Sequence, residues 1–169
     1  AVNLAAALAR EGSRVVLVDA DFAGPNVAEL CGLDGAYGAA DVLAGRRTVH
    51  EVLLRGPIGI QVLPANRNRV EPADCTPAQE RLIVQLQSLG AHADYVLVDA
   101  GSGNGRTMRR FWDAADAVLL IVQPDSVAVM DAYTLVKLTC DDGPPRAAIA
   151  VVVNGADDEA TARDVQERL

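Results

Sequence analysis

Aromatic residues are scarce in this chain: they make up 4% of its 169 residues, although 50% of the residues are hydrophobic. The core must therefore be built from Ala, Val, Leu and Ile, which are the residues of buried parallel strands and of the helices that cover them. A chain of this length can bury one sizeable core. We therefore predict a single domain that spans residues 1–169.

Cysteine, long apolar runs and a net positive charge are also lacking. Cys31, Cys75 and Cys140 lie far apart and form no C-x-x-C pair, which disfavours a metal cluster or a disulfide framework and favours a cytoplasmic protein with reduced thiols. There is no apolar run of about 18 residues and no signal-peptide pattern. The net charge of −8 makes nucleic acid an unfavourable partner.

What the chain does have is a regular alternation of apolar runs and helical patterns. Each run holds about five to seven aliphatic residues without polar alternation, which is typical of strands covered on both faces. Alternation of strand and helix predicts an α/β, doubly wound, mostly parallel sheet with helices on both faces. The runs lie in "RVVLVD", at about Ile58 to Leu63, in "DYVLVDAG", in "DAVLLIVQP" and in "RAAIAVVVN".

Two carboxylates, Asp19 and Asp21, follow the first run in "LVDADFAGPN". Side chains two residues apart on an extended segment point the same way, so both carboxylates would project from one side of the strand end. Two like charges there favour a bound cation. An Asp that ends a strand can equally cap the next turn or helix, so both interpretations stay open.

The third run ends in Asp99, which is followed by Gly101 and Gly103. A lone carboxylate suits Mg²⁺, which keeps several waters and takes one or two protein carboxylates. Glycines let backbone N–H groups approach a phosphate closely. An ordinary strand-to-helix turn is the alternative, while a dinucleotide-binding fingerprint is disfavoured by the G-x-G-x-G spacing. Because ligands of open α/β sheets bind beyond the carboxyl ends of the strands, we expect these acids, and Asn154 after the last run, to converge.

Taken in order, these motifs resemble the MinD/ParA group of P-loop ATPases with a deviant Walker A motif, and within it most of all the FlhG branch, also called FleN or YlxH. The segments that carry the resemblance are "VVLVDADFAGPN", "DYVLVDAGSG", "VMDAYTLVK" and "VVVN". The resemblance implies a cytoplasmic switch protein that uses ATP and Mg²⁺, forms an ATP-dependent homodimer and works with a regulatory protein partner. Its output would be the placement or number of an assembly such as the flagellum.

The resemblance also implies roles for the acids at the strand ends. Asp21 would be the catalytic residue that positions the attacking water. Asp19 would lie near the metal, and Asp99 would hold Mg²⁺ through water. Phosphoryl transfer depends mainly on such positioning and charge neutralisation.

Other residues would bind the nucleotide or a partner. Gly101 and Gly103 would sense the γ-phosphate, and Asn154 would read the adenine edge. Asp131 matches a helix that contacts regulatory partners in the family. Relatives often end in an amphipathic helix that lies on the inner face of the membrane, and we expect any such segment to follow Leu169.

Lysine is nearly absent: of 15 basic residues 14 are Arg, and Lys137 is the single Lys. The ATPases in question carry two lysines in a Gly-rich loop just ahead of the helix that here begins "AVNLAAALA". We therefore expect the first strand, that loop and its Mg²⁺-binding Ser or Thr to precede Ala1. On this interpretation residues 1–169 are an ATPase domain truncated at both ends and inactive by itself.

Two alternatives remain at this point. An Mrp-like iron–sulfur carrier ATPase is favoured by Gly24 and Pro25 in "DFAGPN", but that branch usually needs a C-x-x-C, which these residues lack. A non-catalytic scaffold would keep the fold and its partner surfaces without hydrolysis.

Overall fold

Two units of the chain fold around separate cores in the computed structural model, which describes residues 1–65, 76–101, 106–141, 143–144 and 146–169. The first unit is Ala1–Gly103 and the second is Asn104–Leu169. The prediction of one domain over residues 1–169 stays a prediction.

The first unit is built on a mixed, mostly parallel sheet. Its strands are β1 (Val15–Asp19), β2 (Leu54–Arg55), β3 (Gln61–Leu63) and β4 (Tyr95–Asp99), in the order β2-β3-β1-β4. β1 pairs parallel with β3 and β4, while β2 runs antiparallel to β3. Its helices are α1 (Val2–Arg10), α2 (Val27–Leu30), α3 (Ala39–Leu43), α4 (Val49–Val52) and α5 (Thr76–Ser88).

β1 is a central strand of this sheet, and all five of its residues, Val-Val-Leu-Val-Asp, are buried. Val15 and Leu17 pack in one cluster with Ala5 of α1 and Val27 of α2. Burying an aliphatic side chain of this size contributes about 1.5–3 kcal/mol, so such a cluster fixes the strand and with it the residues that follow Asp19.

The strand predicted at about Ile58 to Leu63 is wrong at its start. Pro57–Gly59 forms a tight turn with Ile58 and Gly59 at positive φ, and β3 begins only at Gln61. The turn closes a hairpin with β2, in which the Gly56 N–H donates to the Ile60 carbonyl at 2.8 Å. Pro57 and Gly59 flank Ile58, and both residue types favour a turn over an extended strand.

The second unit has its own parallel pair, β5 (Ala117–Val122) and β6 (Ala148–Val153). Its helices are α6 (Arg106–Ala114), α7 (Ser126–Thr139) and α8 (Glu159–Glu167). Leu120 and Val122 pack with Val129 and Ala132 of α7 and with Val165 of α8. The Asp125 carboxylate caps α7 by accepting from the Val127 and Ala128 N–H groups at 3.0 and 2.9 Å.

The predicted α/β fold with a mostly parallel sheet is confirmed. Within the second unit, the described helices pack on one face of β5. Its burial alternates along the strand, and Leu119 and Ile121 are 48% and 58% exposed. The helices that pack on Leu120 and Val122 cover only the opposite face.

Candidate functional site

The carboxyl ends of β1 and β4 bring two acids of the first unit side by side. Asp19 and Asp99 are Cα partners in the parallel ladder. The ladder continues for one more bond, because the Ala20 N–H donates to the Asp99 carbonyl at 2.8 Å. The acidic residues expected at one sheet edge therefore lie together there, and the sheet register itself sets their spacing.

Asp19 is buried, with 1% of its surface exposed, and its carboxylate organises the loop that follows. Oδ1 accepts the Asp21 N–H at 3.2 Å, and Oδ2 accepts the Asn26 and Val27 N–H groups at 3.1 Å each. Val27 begins α2, so one carboxylate joins the end of β1 to the start of the next helix. Asp19 thereby fixes the path of residues 20–26.

Burial raises the pKa of the Asp19 carboxyl above its usual range. The hydrogen bonds that the carboxylate accepts from three backbone N–H groups lower the pKa in part. The negative charge of Asp99 acts in the same direction as burial and raises it. The ionised form of Asp19 is therefore disfavoured by burial and by repulsion between the two acids. A cation beside Asp99 would relieve that repulsion.

Asp21 lies beyond the end of β1, so the geometry of an extended strand does not apply to it. Its Oδ1 accepts the Ala23 and Gly24 N–H groups at 3.2 and 3.0 Å, which closes a tight turn on its own side chain. The extended geometry from which we predict that Asp19 and Asp21 project alike therefore ends before Asp21, and that prediction stays a prediction. The turn brings the Asp21 carboxylate next to Gly101 in the loop that follows β4.

Gly101 is the point of contact between the two loops. Its backbone lies in the left-handed region at φ +70°. A Cβ on Gly101 would lie 2.6 Å from Asp21 Cγ and 2.8 and 2.9 Å from its Oδ2 and Oδ1. The Gly101 N–H also donates to Asp99 Oδ1 at 3.4 Å. Asp21 and Asp99 are thus held on either side of the same glycine backbone.

The donor set fits a hard cation that keeps most of its water. Asp21 and Asp99 are partly exposed, whereas both oxygens of Asp19 already accept backbone bonds. No group of three or more potential protein ligands for a metal is found among the described residues. Mg²⁺ binds through one or two carboxylates and retained waters, so Asp99 and Asp21 suit it, and Asp19 suits the role of loop anchor.

The structure does not place the remaining predicted site residues, Gly103, Asn154 and Asp131, within this cluster of the first unit. Gly103 lies outside the described residues. Asn154 follows β6 in the second unit, where its N–H donates to the Val122 carbonyl at 2.8 Å and its side chain is exposed. Asp131 is exposed on α7. The roles of Gly103, Asn154 and Asp131 stay predictions.

Sequence reasoning missed the acceptor role of Asp19 toward Asn26 and Val27. Helix-capping rules examine residues within about one turn of a helix start. Asp19 is eight residues ahead of Val27, and only the fold closes that distance. The available signal was the trailing Asn26 of "DADFAGPN", which ends the segment that Asp19 holds.

Similarity to known proteins identifies the family to which the chain belongs. A family model described as "ParA: NUBPL iron-transfer P-loop NTPase" matches residues 1–154. The chain belongs to the ParA family of P-loop NTPases, and its identification as MinD, ParA or FlhG type is confirmed.

Two curated relatives show how far the sequence similarity extends. The chain is 39% identical over 138 residues to the antiactivator FleN of Pseudomonas aeruginosa, covering 81% of this chain and 49% of FleN. It is 34% identical over 140 residues to the septum site-determining protein MinD of Synechocystis, covering 80% of this chain and 52% of that protein. The chain thus spans about half the length of the curated relatives it matches.

Solved structures of MinD proteins share the fold. The cell division ATPase MinD of Pyrococcus furiosus superposes with a TM-score of 0.78 at 26% identity, covering 98% of this chain and 71% of that one. The MinC:MinD cell division complex of Aquifex aeolicus gives a TM-score of 0.77 at 25% identity, covering 99% and 69%. MinD of Pyrococcus horikoshii, solved with Mg-ADP, gives 0.78 at 22% identity, covering 96% and 69%.

Within the part of the chain that the structure describes, no helix is both long enough and apolar enough to cross a membrane.

Proposed function

We propose that the whole protein is an ATP-binding and ATP-hydrolysing switch of the MinD and FlhG type. The observation that carries the proposal is the meeting of Asp21 and Asp99 across Gly101 at the carboxyl end of a parallel sheet. Membership of a P-loop NTPase family supports nucleotide binding. Bound Mg²⁺ would neutralise charge on the phosphates, and Asp99 would hold it through water.

The residues divide the work as follows. Asp21 orients the water that attacks the γ-phosphate, and its own turn holds the carboxylate in place. Asp19 keeps that turn attached to the sheet. Gly101 and Gly103 approach the phosphate with backbone N–H groups, and Asn154 reads the adenine edge. Positioning of this kind supplies most of the catalysis in phosphoryl transfer.

The test is ATP hydrolysis by the purified whole protein and its Asp21→Asn variant. Asn keeps the size of the side chain and removes its charge, so we expect kcat to fall roughly 100-fold with KM for ATP little changed. Asp157→Asn, at an exposed position of the second unit, is the matched control and should behave as the wild type. Equal kcat in Asp21→Asn and Asp157→Asn would contradict the assignment.

The switch acts through association. We propose that ATP joins two copies and that hydrolysis releases them, so sedimentation should detect a dimer with a non-hydrolysable ATP analogue and a monomer with ADP. A sedimentation pattern that does not depend on the nucleotide would contradict this. The output, by analogy with FleN, is control of an assembly such as the flagellum.

The α7 surface is the proposed partner site. Asp131 is exposed beside Val127, Met130 and Leu138, which are 71%, 63% and 57% exposed. The Aquifex complex of MinC with MinD supports a regulatory protein as the partner. A photo-crosslinker at Asp131 in cells should capture a protein, whereas one at exposed Glu167 of α8 should not. Equal capture at both positions would exclude this surface.

We propose that the whole protein lies in the cytoplasm or peripherally on the inner face of the cell membrane. Cell fractionation tests this, and recovery outside the cytoplasmic membrane would contradict it.

An Mrp-like iron–sulfur carrier is the second candidate, because the matching family model is described by iron transfer. The 169 residues contain no C-x-x-C to hold a cluster. Iron and sulfide that copurify with the whole protein would favour the carrier. A protein that binds neither iron nor ATP would favour the scaffold.

A further inference from the structure

The side of Gly101 that faces the Asp21 carboxylate is too crowded for any side chain. The three contacts that its Cβ would make, at 2.6, 2.8 and 2.9 Å, all fall on that one carboxylate. Other glycines of the first unit with positive φ are open on this side: Gly12, Gly32, Gly45 and Gly59 have no atom within 4 Å of the Cβ position. Gly101 therefore has a second, steric constraint in addition to the positive φ that it shares with these glycines.

Asp21 cannot move away from this contact without cost. Its Oδ1 is bound by the Ala23 and Gly24 N–H groups, and its own N–H donates to buried Asp19. The Cβ position of Gly24 lies 3.4 Å from Asp21 Oδ2, so the turn closes around the carboxylate from the other side. Displacing Asp21 breaks hydrogen bonds to a charged group, which are among the stronger ones.

The same glycine touches Asp99 through its N–H. The carboxylates of Asp21 and Asp99 consequently both lie against the Gly101 backbone, Asp21 on the side where a Cβ would be and Asp99 at the N–H.

We infer that Gly101 is a positioning residue for Asp21: the missing side chain lets the loop after β1 rest on the loop after β4 and fixes the gap between the two acids. The inference rests on the proposed function for its consequence, because that gap is where the hydrated cation is proposed to bind. The contact between Gly101 and Asp21 lies within the first unit, so its contribution to stability can be measured without nucleotide.

The first experiment is a double-mutant cycle on the stability of the whole protein without nucleotide. Gly101→Ala adds a Cβ at φ +70° and forces the contact with Asp21, while Gly32→Ala adds one at φ +65° into open space. Urea unfolding should show that Gly101→Ala lowers the folded-to-unfolded ratio about tenfold more than Gly32→Ala does, or about 1.4 kcal/mol. In an Asp21→Ala background that excess should disappear. Additive effects of Gly101→Ala and Asp21→Ala would overturn the contact.

The second experiment asks whether the contact positions the acid. Mn²⁺ binding to the whole protein with ATP, measured by electron paramagnetic resonance, should weaken about tenfold in Gly101→Ala and stay at the wild-type value in Gly32→Ala. Equal Mn²⁺ affinity in the two variants would make the contact merely structural and overturn the inference. A wild-type protein that binds no Mn²⁺ would instead defeat the proposed function, while the cycle would still decide the contact.

Discussion

Ile58 holds a backbone conformation that few side chains favour. It lies at φ 57° and ψ 18°, and Gly59 follows at φ 83°. The Ile60 N–H donates to the Pro57 carbonyl at 3.2 Å, so the two residues form the centre of a turn of type I′ geometry. Asn-Gly is the favoured pair there, and a β-branched residue is strained by about 1–2 kcal/mol.

Ile58→Asn should therefore stabilise the chain. The side chain is 49% exposed, so the lost apolar burial offsets part of the relieved strain, and the free energy of unfolding should rise by less than about 1 kcal/mol. Urea denaturation followed by circular dichroism measures the change. Ile58→Val keeps the β-branch and is the control. If the Asn and Val variants unfold at the same urea concentration, the strain is not relieved as argued.

The sequence predicted which acidic residues belong to the site, but it did not predict the structural role of each one. The acids stand out in the sequence because Asp19 and Asp99 each end an apolar run and Asp21 comes two residues after Asp19. Their division of work depends on where β1 stops: Asp19 is its last residue and is buried, whereas Asp21 is past its end. The two residues between Asp19 and Asp21 thus separate a carboxylate that holds the loop from one proposed to act in catalysis. Sequence patterns give the least information at the ends of elements, so these roles could not be predicted from the pattern.

Two strands are fastened at the end opposite the site by a charged pair. Arg14, just before β1, binds Asp94, just before β4, through its Nε and Nη2 at 3.1 and 2.7 Å and through its backbone N–H at 2.8 Å. The Arg14 carbonyl in return accepts the Asp94 and Tyr95 N–H groups. The pair aligns the starts of the two strands whose ends carry Asp19 and Asp99.

This pair predicts a specific pH dependence. Hydrogen bonds from Arg14 hold the pKa of Asp94 at about 2, below its usual value of 3.8. A depressed carboxyl pKa contributes stability that is present above the unfolded value and is lost as the pH falls toward 2. In Arg14→Gln this loss between about pH 4 and pH 2 should shrink, and the pKa of Asp94 measured by NMR should rise toward its usual value but stay below it, because the backbone N–H of residue 14 still donates to the carboxylate.

Arg163→Gln is the control for that experiment. Arg163 forms an exposed pair with Glu159 within α8, with side-chain exposures of 70% and 81%, and pairs of this kind contribute little. Its acid unfolding profile should match that of the wild type. A profile for Arg14→Gln that also matches the wild type would show that the strand starts are aligned by the ladder alone.

Whole elements were largely predictable where local signals exist. α1 ends just before Gly12, at φ +91°, and Asp125 caps α7, as Gly and Asp do in general. The two-residue strand β2 has no periodicity to detect, so it was missed. The contact of Arg109 in α6 with the Thr139 carbonyl at the end of α7 joins residues 30 apart and has no local signature either.

At the scale of the whole molecule, the scarcity of lysine decides what these residues can do. Lys137, the one lysine of the sequence, lies within α7. Neither lysine of the family's Gly-rich loop is therefore available to neutralise charge on the phosphates within residues 1–169.

The 169-residue chain by itself should accordingly show no ATP hydrolysis. Phosphate release at millimolar Mg-ATP should equal that of the matched Asp21→Ala chain, because the acids alone cannot stabilise the transferring phosphoryl group. Turnover clearly above that of Asp21→Ala would mean that other cations of this sequence replace the missing lysines.

The way Asp19 holds its loop has a consequence for how this protein can change over evolutionary time. All three donors to its carboxylate are main-chain amides, which every residue except proline supplies. Apart from Asp21, whose side chain has its own proposed role, amino-acid identities between the two anchor points can consequently drift among homologues without weakening these hydrogen bonds, whereas an insertion or deletion there would break them. Length, more than chemistry, is what selection should preserve in that segment.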